Sequence, residues 1–76
     1  MPSLRQHFGN RLRLIRHERE LTQEQFAERV GISVDFLSLM ERGINAPSFE
    51  TIEQMAKSLR LPVKALFDFS AKPLAK

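Results

Sequence analysis

The side chains that could do chemistry in this chain of 76 residues are hydrogen-bonding and charged groups, with no nucleophile beside a base. The two histidines, His7 and His17, lie ten residues apart in one amphipathic stretch and point in different directions, which does not make a metal-ligand pair. There is no Ser/His/Asp set, no glycine-rich phosphate loop and no paired-acid motif. With no cysteine there is no disulfide frame and no thiolate metal site. Recognition chemistry remains. Thr22 and Gln23 stand where a helix is expected to begin, and a helix N-terminus offers unpaired N–H groups and the positive end of a dipole to an anion such as a phosphate. Ser48 marks a second start of the same kind. These features predict neither an enzyme nor a cofactor nor a small-molecule ligand.

Charge supports the same reading. Twelve Lys and Arg against nine Asp and Glu give a net charge of +3, which suits a polyanionic partner. Arg5, Arg11, Arg13, Arg16 and Arg19 crowd the first twenty residues, the middle is mildly acidic, and Lys57, Arg60, Lys64, Lys72 and Lys76 make the last third basic again. Arg11, Arg13 and Arg19 are expected on a solvated face, with one of them reaching a phosphate. No apolar run approaches the roughly 18 residues of a membrane span, so a soluble, cytoplasmic protein is expected. A basic helix lying on a membrane surface is a poorer fit, because the first helix has a narrow apolar face that the core requires.

The elements that must position these groups are helical throughout. Ser3 can cap a first helix to about Arg19, with Leu4, Phe8, Leu12 and Ile15 in one apolar stripe. Thr22 and Gln25 fit a capping box that opens the second helix; Phe26, Ala27 and Val30 make its buried face, and Gly31 stops it. Ser33 caps a third helix, with Phe36, Leu37 and Met40 on one side and Asp35, Ser38, Leu39 and Arg42 on another, ending at Gly43. Ser48 caps a fourth, carrying Ile52, Met55, Ala56 and Leu59 inward. Leu61-Pro62 breaks it, and Pro62 suits the first turn of a short fifth helix whose apolar side is Val63, Leu66 and Phe67. Residues 1–69 are expected to form one domain, and residues 70–76 a loose tail.

Only Gly31 and Ile32 join the second and third helices. So tight a connection makes two short helices cross steeply over a shared core, and the small Ala27, the turning Gly31 and the apolar Phe26, Val30, Ile32, Leu37 and Met40 meet that demand within twenty residues. The third helix is then held proud of the domain, where its polar side can enter the major groove of duplex DNA.

Residues 12–67 resemble the phage Cro and repressor helix-turn-helix family, also called the XRE family. The matching motifs are L-R-L-I-R at 12–16, L-T-Q-E-Q-F-A at 21–27, V-G-I-S at 30–33, F-L-S-L-M-E-R-G at 36–43, N-A-P-S at 45–48 and M-A-K-S-L at 55–59. The resemblance implies a compact, all-α, five-helix domain of the lambda-repressor-like type. Its helix-turn-helix core would span residues 23–42, and it would act as a homodimer on a two-fold, pseudo-palindromic operator. It implies an ion pair between Arg16 and Glu41, and a phosphate contact by Gln23. Ser33, Val34, Asp35, Ser38 and Leu39 would face the groove, and Arg42 and Asn45 would touch the backbone beside Thr22 and Ser48. The expected function is a transcriptional regulator: a stand-alone phage-type repressor, or a controller of a restriction-modification or toxin cassette.

The groove-facing set departs from the family's usual Gln, Arg, Asn and Lys. Val34 and Leu39 could pack on a thymine methyl and Asp35 could accept from a cytosine amine, but none makes a bidentate contact to guanine or adenine. The two apolar residues motivate a rival reading, an antitoxin-like or adaptor module that keeps the fold and binds protein. Five apolar residues within nine, Leu61, Val63, Leu66, Phe67 and Phe69, exceed what one short helix needs for its own core and form the expected dimer surface.

Overall fold

Four hydroxyl side chains open the four α-helices of the chain. The computed structural model describes residues 2–70. In it Ser3 precedes α1 (Leu4–Glu18), Thr22 precedes α2 (Gln23–Val30), Ser33 precedes α3 (Val34–Glu41) and Ser48 precedes α4 (Phe49–Leu59). Each hydroxyl oxygen accepts from the N–H three residues on, at 3.1 Å for Thr22, Ser33 and Ser48 and 3.3 Å for Ser3. That satisfies one of the donors a helix start leaves free. In α1 and α2 a glutamine reaches back, Gln6 to the Ser3 N–H at 2.8 Å and Gln25 to the Thr22 N–H at 2.9 Å, completing reciprocal capping boxes.

The helices end as uniformly as they begin. Glu20, Gly31, Gly43 and Arg60 all take positive φ, between 57° and 79°. The next residue in each case, Leu21, Ile32, Ile44 or Leu61, donates its N–H back to a carbonyl in the last turn. This is the Schellman closure, and its usual apolar residue after the left-handed position is present every time. Leu21, Ile32 and Leu61 lie against the core, so each turn is pinned from inside. The sequence reading recognised the two glycine stops but placed the end of α4 at Leu61-Pro62. Arg60 ends it first, in a conformation that only glycine adopts without steric cost.

Phe8, Leu12, Ile15, Phe26, Val30, Leu37, Met40, Met55, Leu59 and Leu66 form one core, to which every element contributes. Leu4, expected in the α1 stripe, is 63% exposed, since it sits in the first turn beyond the reach of the other helices. α1 crosses α3 at Gly9, where an added Cβ would overlap the carbonyl oxygen of Met40 and come within 2.9 Å of that of Glu41. The expected fifth helix is a 3-10 helix, Val63–Phe67. Ala65 donates to the Pro62 carbonyl at 2.9 Å; a run of five residues gains little from the α-helical ladder. No helix among the described residues is long and apolar enough to cross a membrane. The expected tail at 70–76 lies, beyond Ser70, outside the described residues.

Three of the arginines act as internal struts. The Arg11 Nε donates to the Ala65 carbonyl at 2.8 Å, and an Arg19 Nη donates to the Leu59 carbonyl at 2.7 Å. Arg5 donates to the Ile44 carbonyl at 3.2 Å. Arg11 and Arg19 are half-buried, so their expected place on a solvated face is corrected. A cation at the carbonyl end of α4 also complements its dipole.

Two substitutions test this frame by chemical denaturation. Gly9→Ala should destabilise by about 1–3 kcal/mol, the usual cost of overpacking against atoms that cannot yield. Arg60→Gly should stabilise by about 0.5–1 kcal/mol, because relief of left-handed strain exceeds the added chain entropy of glycine.

Candidate nucleic-acid interface

The α2–α3 turn is held from two sides. Gly31 carries the left-handed conformation, and the Gln54 carboxamide of α4 donates to the carbonyls of Val30 and Gly31. Ile32 packs inward, and α3 leaves the turn with Leu37 and Met40 fully buried. On the opposite side Asp35, Ser38, Leu39 and Arg42 fall at steps of three, one and three, which is one stripe of a helix. Asp35 and Arg42 are exposed, Ser38 and Leu39 half-buried. Val34, 37% exposed, stands beside the stripe in the first turn. Ser33 is exposed and caps its own helix.

A buried polar network ties α3 to α1 and α2. Glu41 faces inward, its side chain 3% exposed, and the Arg16 fork meets it with Nε to Oε2 at 2.7 Å and Nη2 to Oε1 at 3.0 Å. The remaining Arg16 Nη1 donates to the Leu21 carbonyl at 3.0 Å, near the end of the α1–α2 link and just before the Thr22 cap. Gln23 donates to Glu41 Oε1 at 3.1 Å. One carboxylate thus receives donors from two helices and sets how far α3 stands out. Among the described residues no buried side-chain polar atom lacks a partner. Because Gln23 already has one N–H on Glu41, the amide offers a phosphate its second N–H only.

The helix starts themselves are less cationic than their geometry suggests. Glu24, Asp35 and Glu50 occupy the first turns of α2, α3 and α4 and partly offset each dipole. Thr22, Asn45 and Ser48 are exposed near these starts, and Ser48 also donates to the Thr51 hydroxyl at 3.0 Å. A stronger cationic feature lies at the other end of α3. There an open groove is lined by Pro2, by Gln6, Asn10 and Arg13 of α1, and by Glu41 and Arg42, and the Glu41 carboxylate is already engaged by Arg16. Gln6, Asn10 and Arg13 recur at steps of four and three, a polar stripe of α1 that the spacing in the sequence makes legible. Among the described residues no cluster of three His, Cys, Asp or Glu could hold a metal ion.

Comparison with known proteins follows this geometry closely. A family model described as a helix-turn-helix domain matches residues 7–67. This chain belongs to that family. It is 41% identical over 58 residues to the immunity repressor of Bacillus phage phi105, covering 76% of this chain and 40% of that protein. It is 37% identical over 59 residues to an uncharacterised HTH-type transcriptional regulator of Mycobacterium tuberculosis, Rv0474, covering 78% of this chain and 42% of that one. The chain therefore spans less than half the length of these two relatives. Among solved structures it superposes on the restriction-modification controller protein C.AhdI of Aeromonas hydrophila with a TM-score of 0.78 and 32% identity, over 83% of this chain and 96% of the controller. The resemblance to phage repressors drawn from the motifs is thereby established, as is an all-helical helix-turn-helix fold.

In this helix-turn-helix chain the surface expected to pair two copies is largely spent on the monomer. Leu66 is 1% exposed and fills the core beneath α1 and α4, so its place on a dimer surface is corrected. Leu61 and Phe67 are half-buried against the same core. Phe67 packs on Phe8 with ring centroids 5.2 Å apart, and Phe69 stacks on His7 at the same separation. Val63 and Phe69 keep 44% and 38% of their surface exposed. After them, Ser70 donates its hydroxyl and its backbone N–H to Asp68, which holds that carboxyl below its ordinary range. Sequence reasoning also missed Phe49, 83% exposed at the start of α4.

Arg16→Met alone strands the Glu41 carboxylate and should cost about 3–5 kcal/mol in urea denaturation. Arg16→Met combined with Glu41→Leu should recover most of that loss. A single-variant cost below about 1 kcal/mol would show that the network does not hold α3 in place.

Proposed function

We propose that this chain is a DNA-binding transcriptional regulator whose third helix enters the major groove of a duplex. The observation that carries the reading is the outer stripe of α3, where Asp35 and Arg42 are exposed and Ser38 and Leu39 half-buried, while Leu37, Met40 and Glu41 are locked into the core. The working unit is residues 1–69, with the helix-turn-helix at 23–42. Ser33, Val34, Asp35, Ser38 and Leu39 face the bases. Thr22, Gln23, Asn45, Ser48 and Arg42 contact the backbone, joined by Arg13 and Asn10 across the groove they share with Arg42. Phosphate contacts set register, and base edges carry sequence.

The active species is a homodimer on a pseudo-palindromic operator, with its half-sites about one helical turn apart. Val63 and Phe69 remain for the pairing surface, with Leu61 and Phe67 at its margin. The likeness to a phage immunity repressor and, over 96% of its length, to a restriction-modification controller supports a small repressor or cassette controller. Such a role places the protein in the cytoplasm and asks no enzymatic activity of it.

The exposed Val34 and half-buried Leu39 favour one rival, a module of the same fold that binds protein through α3. Salt separates the two. Several phosphate contacts make duplex affinity fall by about two orders of magnitude or more between 50 and 200 mM salt, whereas an apolar protein contact barely responds. Fluorescence anisotropy on labelled duplexes should show that fall. Gln23→Ala with Arg42→Ala should weaken binding at least tenfold, roughly the loss expected when two phosphate contacts are removed. Unchanged affinity in that double variant, with its fold intact by circular dichroism, would refute the backbone assignment.

A further inference from the structure

The chemistry of the outer face of α3 narrows what it can read. No residue there carries an amide, so the bidentate reading of adenine by Asn or Gln is not available from this helix. Its one cation, Arg42, is the C-terminal cap, whereas recognition helices set their N-terminal residues against the bases. That leaves guanine without its usual arginine partner. The N-terminal half of the face presents Val34 and Asp35, with Leu39 one turn on. Val34 and Leu39 lie outside the buried core and the apolar side chains packed against it. Among the described residues Asp35 forms no ion pair, and its ionised carboxylate can only accept.

Two base edges match these groups without an opposing acceptor, since adenine sets its N6 amine beside an N7 acceptor that repels a carboxylate. Thymine offers the major groove a 5-methyl group, and cytosine offers an N4 amine that only donates. The carboxylate works by rejection as well. Opposite guanine O6 and N7, or thymine O4, it meets acceptor with acceptor, and its charge repels the phosphate rails on either side.

Resting on the DNA-binding reading above, we propose that α3 reads pyrimidine edges. Val34 and Leu39 pack on thymine 5-methyl groups, and Asp35 accepts from a cytosine amine. Each half-site then carries T·A pairs flanking a C·G pair, and Asp35 lowers the affinity for half-sites that set guanine or thymine acceptors against it.

The test begins with duplexes selected from a random pool at physiological salt. Thymines of the selected half-site are then replaced by uracil one at a time, which removes the methyl and nothing else. Affinity should fall about fourfold at each contacted position, the equivalent of one buried methyl group. Val34→Ala should erase that effect at one position. Asp35→Ala should tighten binding to unselected duplex and lose the preference for cytosine at one position. The gain in affinity cannot come from misfolding, and the uracil series needs no variant at all. Selected duplexes that bind but respond to no uracil, with cytosine preference kept in Asp35→Ala, would overturn pyrimidine reading and leave DNA binding standing. An absence of saturable duplex binding at any salt would overturn DNA binding itself, and this inference with it.

Discussion

Everything that faces outward from α3 depends on one carboxylate that faces inward. Glu41 brings a charge into the junction of three helices, and that is tolerable only because the Arg16 fork and the Gln23 amide supply donors in fixed directions. An apolar junction of the same volume would be as stable or more so. It would supply fewer directional contacts to hold the angle, because apolar contacts are non-directional. The network thus gives up some stability for geometry, fixing where the outer stripe of α3 stands relative to the starts of α2 and α4. Gln23 belongs to both, since its amide is within the network and it is the first residue of α2.

Backbone close approach supports the same arrangement. Gly9 lets α1 lie against the last carbonyls of α3, and Gln54 holds the turn carbonyls from the side of α4. The arginine struts act similarly: Arg19 spans from α1 to the end of α4, and Arg11 to the 3-10 segment. A basic N-terminal third thus proves to be partly scaffold. Of the exposed cations left for a polyanion, Arg13 and Arg42 share one groove with Glu41, while Arg29, Lys57, Arg60 and Lys64 lie elsewhere on the surface. Net charge counts all the cations alike and cannot make that division.

At the C-terminal end an aromatic chain from Phe8 through Phe67 to Phe69 and His7 secures the segment after Pro62 to α1. With Leu66 in the core, the short 3-10 helix closes the monomer first and offers only its outer residues to a partner. The same hydrophobic surplus that suggests a dimer surface in the sequence is mostly consumed by the small core of a short chain, where apolar side chains are scarce relative to the surface that must be closed.

The sequence by itself determined the helices, their starts and the helix-turn-helix. Capping hydroxyls, glycine stops and apolar periodicity act within a few residues of where they stand, so their effects are local and readable. It also showed, through residue type, that α3 carries no amide on its outer face. Only the tertiary structure decided which arginines are struts, that Gly9 is a crossing point, that Arg60 and Glu20 accept left-handed backbone, and that Leu66 belongs to the core. Those outcomes follow from contacts between residues far apart in the chain, where packing of the whole overrides the preference of any one segment.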